Sequence, residues 1–261
     1  MPKSIVAVEK EKERVNAHAD KINIFNFPSR IKTAFTLAEV LVTLTIIGVV
    51  SAMTIPSMKA NIDKQTTIQR FKKTYSILFN AYKMSVMDNG HPTQWEGFQK
   101  NPLTQGETNE SKVLANYFLP YLKVSKDCGT ERGECFPKKI YNLNKKQTSY
   151  MDERVVYNVV LQDGAALSFA QNTNGSAEYW TILTDIDGAN KGQNVMGKDI
   201  FMFVIDKDGE FGPYNYFNRD RKGLLAAYGD SCNKNAGVTA GMACSTVIIL
   251  DGFQIKDDYP W

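Results

Sequence analysis

The feature that most constrains this chain is an apolar run at residues 35–55, which contains one charged residue, Glu39. As an α-helix this run is about 30 Å long, which is the thickness of the hydrocarbon core of a bilayer. A secretory signal peptide has a shorter apolar region, and small residues follow it at the cleavage site. A buried core helix is the alternative, but so long a run of Leu, Val and Ile disfavours it. We therefore predict a transmembrane helix at residues 35–55.

The charges beside this run and the cysteines after it predict opposite orientations. Basic residues are more numerous within 20 residues after the run than within 20 residues before it. By the positive-inside rule, this distribution places the C-terminal side in the cytoplasm. The cysteines all follow the run, and their two close pairs are typical of disulfide loops that form outside the cytosol.

The four cysteines permit three pairings. Each close pair lies in loop-like sequence, so we favour the local pairings, Cys128 with Cys135 and Cys232 with Cys244. Reduced thiols and a zinc site are the alternatives. Zinc is disfavoured because neither pair has the spacing of about two to four residues that structural zinc sites use.

The start of the apolar run carries a more specific motif. Residues 34–42, AFTLAEVLV, follow the basic residue Lys32 and resemble the prepilin signal of type IV pilins and type II secretion pseudopilins. The resemblance extends along the run, because Gly48 and Pro56 stand where this family often has a helix-loosening glycine and a proline. It covers about the first fifth of the mature chain.

The resemblance implies how the chain is processed and oriented. In that family a peptidase facing the cytoplasm cuts before the phenylalanine and methylates the new N-terminus. Here the cut would fall between Ala34 and Phe35, and Phe35 would be N-methylated. The cytoplasmic leader, residues 1–34, would be removed, although the family usually has a shorter leader with a glycine before the cut. Everything after Pro56 would lie outside the cytoplasm, in agreement with the cysteines.

Glu39 also acquires a role from the resemblance. On insertion scales a carboxylate at the bilayer centre costs about 2.5–3.5 kcal/mol, and less near the interface, where Glu39 is expected to lie. Cleavage creates a positive amine at Phe35 in the same shallow layer. The resemblance implies that the amine of a neighbouring subunit neutralises Glu39 and holds the two copies in register during assembly.

The helical pattern continues beyond the apolar run to residue 90. Apolar residues recur at steps of three and four, and Asn89-Gly90 is a typical helix stop. The apolar positions are Ile68, Phe71, Tyr75, Leu78, Phe79, Tyr82 and Val86. We predict one helix of about 50 residues, bent near Pro56, whose amphipathic part at residues 56–90 packs on the extracytoplasmic head, residues 91–261.

The head is predicted to combine this helix with an antiparallel sheet. VVYNVVL and ALSFA flank Asp163-Gly164 and predict a hairpin, and a short helix is expected near residues 110–122. EYWTILTDIDG, DIFMFVIDKDG and STVIILDGFQI are further strand candidates. The expected fold class is α+β and pilin-like: a long N-terminal helix, half membrane-spanning and half amphipathic, on a sheet of about four to five strands.

The stretch DIDGANKGQNVMGKD is a candidate calcium loop. Asp185, Asp187, Asn190 and Asp199 supply oxygen ligands at alternating positions, which suits calcium. It is not an EF-hand, because Gly188 comes too early and Met196 replaces the bidentate glutamate. Some type II pseudopilins hold calcium in a loop of this region, so the resemblance favours a metal. The alternative is an Asp-Gly turn followed by a polar loop.

The sequence offers no sign of catalysis and little sign of nucleic-acid binding. No GxSxG, HExxH, P-loop or GxGxxG motif is present, and the mature part has one histidine, His91. The net charge of +3 falls within residues 1–34, so the rest of the chain is neutral. The stretch KKIYNLNKKQTSY combines lysines with Tyr141 and could grip single-stranded DNA, but a solvated loop is favoured.

We therefore predict a structural, non-enzymatic subunit of a type IV pilus or type II secretion pseudopilus. Its partners would be other copies and other pilins, the prepilin peptidase, the inner membrane and the assembly platform. It would be a single-pass inner-membrane protein before it enters an extracytoplasmic filament, with no required cofactor and calcium as the one candidate. The alternatives are a minor pilin acting as an adhesin or DNA receptor, and a signal-anchored binding domain that does not polymerise.

Overall fold

The structure is a computed structural model that describes residues 35–98, 110–131, 133–148, 156–171, 180–189, 191–216 and 220–261. The chain divides into two compact units, Met1–Thr54 and Ile55–Trp261. The predicted leader, Ala34 at the predicted cut and Asn190 of the candidate calcium loop lie outside the described residues.

The first helix, α1, runs from Leu37 to Asn89 and has Pro56 inside it. It ends where the sequence predicts, because Gly90 adopts a φ of 76° and donates its amide to the carbonyl of Val86. The bend expected at Pro56 stays a prediction. The predicted apolar stripe is confirmed as core packing: Phe71, Leu78 and Tyr82 are buried, and the other members pack against the core.

Six antiparallel strands form one sheet, and each strand pairs with the next one in the chain. They are β1 (Val124–Gly129), β2 (Val156–Leu161), β3 (Ala166–Gln171), β4 (Trp180–Asp185), β5 (Ile200–Ile205) and β6 (Phe211–Pro213). The predicted hairpin is confirmed as β2 and β3, with Tyr157 opposite Phe169. The helix α2 (Glu110–Phe118) precedes the sheet and is followed by a 3₁₀ turn, Leu119–Tyr121.

Both faces of the sheet are covered, and β5 shows how. Phe201 and Phe203 point to the face on which α1 lies, with ring centroids 4.7 and 5.7 Å from that of Phe71. Met202 belongs to the core on the opposite face, together with Phe136 and Met242 from the loops that cover it. Burial on both faces explains why β5 is a continuous apolar run and does not alternate. The predicted α+β architecture is confirmed.

One predicted strand is wrong. In STVIILDGFQI, the residues STVIIL belong to the helix α4 (Cys244–Leu250), which follows the short helix α3 (Arg221–Leu224), and DGFQI lies beyond its end. A short apolar run of β-branched residues fits a buried strand and a buried helix equally well by its pattern. In the helix, the hydroxyls of Ser245 and Thr246 donate to the carbonyls of Met202 in β5 and of Tyr214, which follows β6.

The sheet has six strands, and four of them, β2 to β5, correspond to strand candidates from the sequence. The two edge strands, β1 and β6, were not predicted. The edge strand β1 is VSKDCG, in which no residue is buried and two are charged. The opposite edge strand, β6, has three residues and ends in proline. Neither segment has the apolar or alternating pattern by which strands are recognised.

Candidate functional site

The N-terminal part of α1 presents apolar side chains that nothing in the described structure covers. α1 is long and apolar enough to cross a membrane, its most apolar window has a mean hydropathy of 2.0, and none of that window is buried. Phe35 is 85% exposed and Leu37 is 78% exposed. A continuous exposed apolar surface of this length requires lipid or other protein around it.

Gly48 lies within this segment, and its place is not dictated by packing inside the chain. A Cβ built on Gly48 would meet no atom within 4 Å. An alanine would therefore fit and would favour the helix by about 1 kcal/mol. Packing within the described chain therefore does not account for a glycine at this position.

Glu39 lies in the first turn of α1 and is bound to Thr36, just before the helix. The backbone amide and the hydroxyl of Thr36 donate to Glu39 Oε2 at 2.8 and 2.9 Å. In return, the amide of Glu39 donates to Thr36 Oγ1 at 3.2 Å. This reciprocal arrangement is a capping box, which satisfies donors that the start of a helix leaves unpaired. Sequence reasoning missed it, although the signal T-x-x-E was present at residues 36–39.

Two disulfides stabilise the head, and both have the predicted local pairing. Cys128 is bonded to Cys135 and Cys232 to Cys244. The second disulfide is almost fully buried in the larger core cluster, where it joins the loop before α4 to the first residue of that helix. Structural disulfides are typical of proteins in oxidising compartments.

The structure brings three of the four predicted calcium ligands together after β4. Asp199 is nearly buried, and its carboxylate accepts the backbone amides of residues 193, 194 and 195. Asp185 is fully buried, and its Oδ1 accepts the amides of Asp187 and Gly188 at 3.2 and 3.0 Å. Asp199 and one oxygen of Asp185 therefore organise the loop, which the sequence did not indicate.

Two carboxylate oxygens remain without a hydrogen-bond donor, Asp185 Oδ2 and Asp187 Oδ1, and both are buried. Burial, together with the nearby carboxylate of Asp187, raises the pKa of Asp185 to about 8. Arg70 partly compensates the charge of Asp187, because its Nη1 forms a salt bridge of 3.8 Å with Asp187 Oδ2. Within the described ranges, no group of three or more His, Cys, Asp or Glu side chains is arranged to hold a metal ion.

The carboxylates of this loop lie so close to the backbone of residue 192 that only glycine fits there. Gly192 has a φ of 66°, and a side chain there would collide with the carboxylate oxygens of Asp187 and Asp199. The loop therefore wraps tightly around a group of carboxyl groups. A cation or a shared proton would relieve their repulsion.

The lysine-rich stretch near Tyr141 folds as a loop that is attached to the head. Tyr141 is half-buried, packs against the core and exchanges backbone hydrogen bonds with the segment at residues 194–196. Lys145 and Lys146 are exposed. An aromatic ring that packs against the core is not available as a free stacking platform for bases.

Comparisons with known proteins divide the chain at the same place as the sequence does. Residues 57–261 match a family of unknown function (DUF6613), and residues 30–55 match the prokaryotic N-terminal methylation motif. The second match confirms the predicted prepilin signal.

One curated protein shows a weak likeness. The vitamin B12-dependent ribonucleotide reductase of Agrobacterium fabrum is 26% identical over 145 residues, which are 50% of this chain and 11% of the reductase. The chain thus spans about a tenth of that relative, too little to assign an activity. No solved structure matches the chain.

Proposed function

The chain belongs to DUF6613, a family of unknown function, and we propose that it is a structural subunit of a type IV pilus or type II secretion pseudopilus. The methylation motif makes it a pilin-like precursor that is anchored in a membrane. The observation that carries the proposal is the combination of this motif with an uncovered apolar helix segment and a folded α+β head.

The proposed life of the subunit begins in the inner membrane. The leader at residues 1–34 lies in the cytoplasm, and the prepilin peptidase cuts between Ala34 and Phe35 and methylates Phe35. Residues 35–55 span the bilayer, and residues 56–90 continue the helix into the head at residues 91–261. The two disulfides support this orientation over the one that the flanking charges predict.

Assembly then moves the apolar segment from lipid into a bundle of such helices. Other copies, together with other pilins delivered by the assembly platform, replace lipid around the exposed side chains. The amine of Phe35 on one copy neutralises the carboxylate of Glu39 on the next, an attraction that the low dielectric of the filament core strengthens. This pairing fixes the axial position of each new copy.

Mass spectrometry of the N-terminus, in cells that contain the peptidase, tests the proposal. We expect N-methyl-phenylalanine at Phe35, and filaments sheared from the cells that contain the mature chain. Glu39→Ala should be inserted and cleaved normally but should be nearly absent from filaments, and Glu39→Gln should behave in the same way.

The alternatives predict different results. A signal-anchored domain that does not polymerise would keep its leader and would be absent from the sheared fraction. A minor pilin that acts as an adhesin or DNA receptor would be cleaved but present at few copies per filament. Normal filament yield from both Glu39 variants would contradict the proposed pairing.

We also propose that the loop after β4 binds calcium. The support is the pair of buried carboxylate oxygens without donors, Asp185 Oδ2 and Asp187 Oδ1. Carboxylate oxygens are the ligands that calcium prefers, and its charge would offset their repulsion. Isothermal titration with calcium tests this directly, with Asp187→Asn as the variant that loses a charged ligand while keeping its shape.

A further inference from the structure

We propose that the core on the face of the sheet opposite α1 contains a buried site for ordered water, formed by Asn158 of β2, Ser168 of β3 and Thr181 of β4. These residues are 1%, 0% and 0% exposed. Within the described structure, their atoms Asn158 Oδ1, Ser168 Oγ and Thr181 Oγ1 have no hydrogen-bond partner. The inference does not depend on the proposed function, because it concerns the interior of the head.

The register of the strands brings the three side chains together on one face. Asn158 and Ser168 are directly opposite each other. Ser168 is opposite Leu183, and Thr181 lies two residues before Leu183, so Thr181 is a diagonal neighbour of Ser168. Directly opposite side chains have Cβ atoms about 4.5–5.5 Å apart, and diagonal neighbours lie about 7–8 Å apart. Water can bridge such gaps, because two hydrogen bonds of about 2.8 Å each span a distance too great for one.

The central strand of the site, β3, leaves room for a water molecule. Its side chains on this face are small, and they are Ala166, Ser168 and Ala170. On the face towards α1, the same strand carries the large side chains Leu167 and Phe169. A water molecule inside a protein needs space and two to four polar partners. Small side chains provide the first condition, and the three unpaired oxygen atoms provide the second.

The hydrogen-bonding capacity of the three groups favours water over a cation. Asn158 Nδ2 donates to the carbonyl of Glu131 at 2.9 Å, so the unpaired end of this amide is its oxygen, which can only accept. The hydroxyls of Ser168 and Thr181 each carry a hydrogen that needs an acceptor. A cation would satisfy the oxygen atoms but leave these hydrogens without acceptors. Water both donates and accepts, so it can satisfy all three groups.

The site connects parts of the head that are otherwise separate. A buried polar atom without a partner destabilises the folded state, and three such atoms side by side are a large cost for a protein of marginal stability. Ordered water that joins them removes most of this cost and links β2, β3 and β4 through their side chains. Glu131 lies in the loop closed by Cys128 and Cys135, so Asn158 connects that loop to the same water.

The strand β4 contains a matched control. Thr184 is also 0% exposed, but its hydroxyl donates directly to the carbonyl of Phe201 at 3.2 Å. Thr181→Val and Thr184→Val are therefore the same change, in the same strand and at the same burial, with and without a partner in the protein. Ser168→Ala removes the second hydroxyl of the site. Urea unfolding of the full chain with its disulfides intact gives the unfolding equilibrium constant of each variant.

If water occupies the site, Thr181→Val and Ser168→Ala should each raise the unfolding equilibrium constant about fivefold. This factor corresponds to about 1 kcal/mol, the value of one hydrogen bond, and Thr184→Val should have a similar effect. A crystal structure of the unaltered full chain is the second measurement. It should show a water oxygen within about 3.2 Å of Asn158 Oδ1 and of at least one of the two hydroxyls.

A dry site predicts a change of opposite sign. Thr181→Val and Ser168→Ala would then remove unpaired buried atoms and would lower the unfolding equilibrium constant, while Thr184→Val would still raise it. A decrease or no change in the two site variants would overturn the inference. A crystal structure without water at the three atoms, including one in which the hydroxyls bond directly to protein groups, would also overturn it.

Discussion

Replacing Arg221 should destabilise the head by unpairing a buried carboxylate. Arg221 Nε and Nη2 donate to the two oxygens of Asp251 at 2.6 and 2.8 Å, so the pair is bidentate. The side chain of Asp251 is 0% exposed, and that of Arg221 is 31% exposed. Lys256 Nζ also lies 2.7 Å from Asp251 Oδ1. This cluster joins α3 to the residue that follows α4.

The magnitude follows from the burial of the two partners. Removing one member of a fully buried ion pair costs about 3–5 kcal/mol, because the other charge is left uncompensated. Here the guanidinium is partly solvated and Lys256 remains beside the carboxylate, so the loss is smaller. For Arg221→Met we expect a decrease of about 2 kcal/mol in the free energy of unfolding, close to the value of a hydrogen-bonded charge.

The decrease should depend on pH. Burial alone would raise the pKa of Asp251, but the hydrogen bonds from Arg221 and Lys256 outweigh it and hold that pKa below its usual value. A carboxyl group with a lowered pKa in the folded state adds stability above its unfolded pKa of about 4, and this is lost as the pH falls through the folded value. The difference between the variant and the unaltered protein should therefore be largest near pH 7 and shrink towards pH 3.

Urea unfolding followed by tryptophan fluorescence, with the disulfides intact, measures this difference. Lys207→Met is the matched control, because Lys207 and Asp208 form an ion pair in which both side chains are about two-thirds exposed. It should change the free energy of unfolding by less than about 0.5 kcal/mol. Equal effects of the two variants, or an Arg221→Met effect that does not change with pH, would refute the reasoning.

Three other substitutions test other parts of the structure. Phe71→Ala should lower the free energy of unfolding by about 3–5 kcal/mol in the same urea assay, whereas Tyr228→Ala, at a ring that is 74% exposed, should have little effect. Serine at both Cys232 and Cys244 should cost about 3 kcal/mol by the chain-entropy relation, and peptide mapping without reduction should find only the two local pairs. Chelation of calcium should lower the melting temperature of the unaltered chain and leave Asp187→Asn unchanged; a chelator without effect on either would leave the loop as a turn.

The elements that the sequence predicted well have strong and unambiguous periodicity. The long helix was recognisable because its apolar stripe repeats over many turns and ends at a glycine. The hairpin of β2 and β3 was recognisable by its Asp-Gly turn. In these cases local propensity and tertiary packing favour the same conformation.

The elements that the sequence did not predict depend on contacts between distant residues. In α4, Ser245 and Thr246 donate to carbonyls of Met202 and Tyr214, which are distant in sequence, and no local pattern reveals these contacts. Calcium binding by the acidic loop was proposed from ligand spacing and from the family resemblance, neither of which indicates that three backbone amides occupy Asp199. The capping box at Thr36 is the exception, because it is local and its signal T-x-x-E stands in the sequence at residues 36–39.

The order of the strands has a consequence for how the head folds. Each strand from β1 to β6 pairs with its immediate neighbour in the chain, so every pairing of the described sheet joins strands that are consecutive in chain order. Short sequence separations speed folding, because little loop-closure entropy is spent before each contact forms. The two disulfides close over separations of 7 and 12 residues, so each correct pair is also the nearest one. A chain that emerges with its N-terminal end first can therefore add the strands of this sheet one after another. Its disulfides require oxidation of neighbouring cysteines and little exchange of partners.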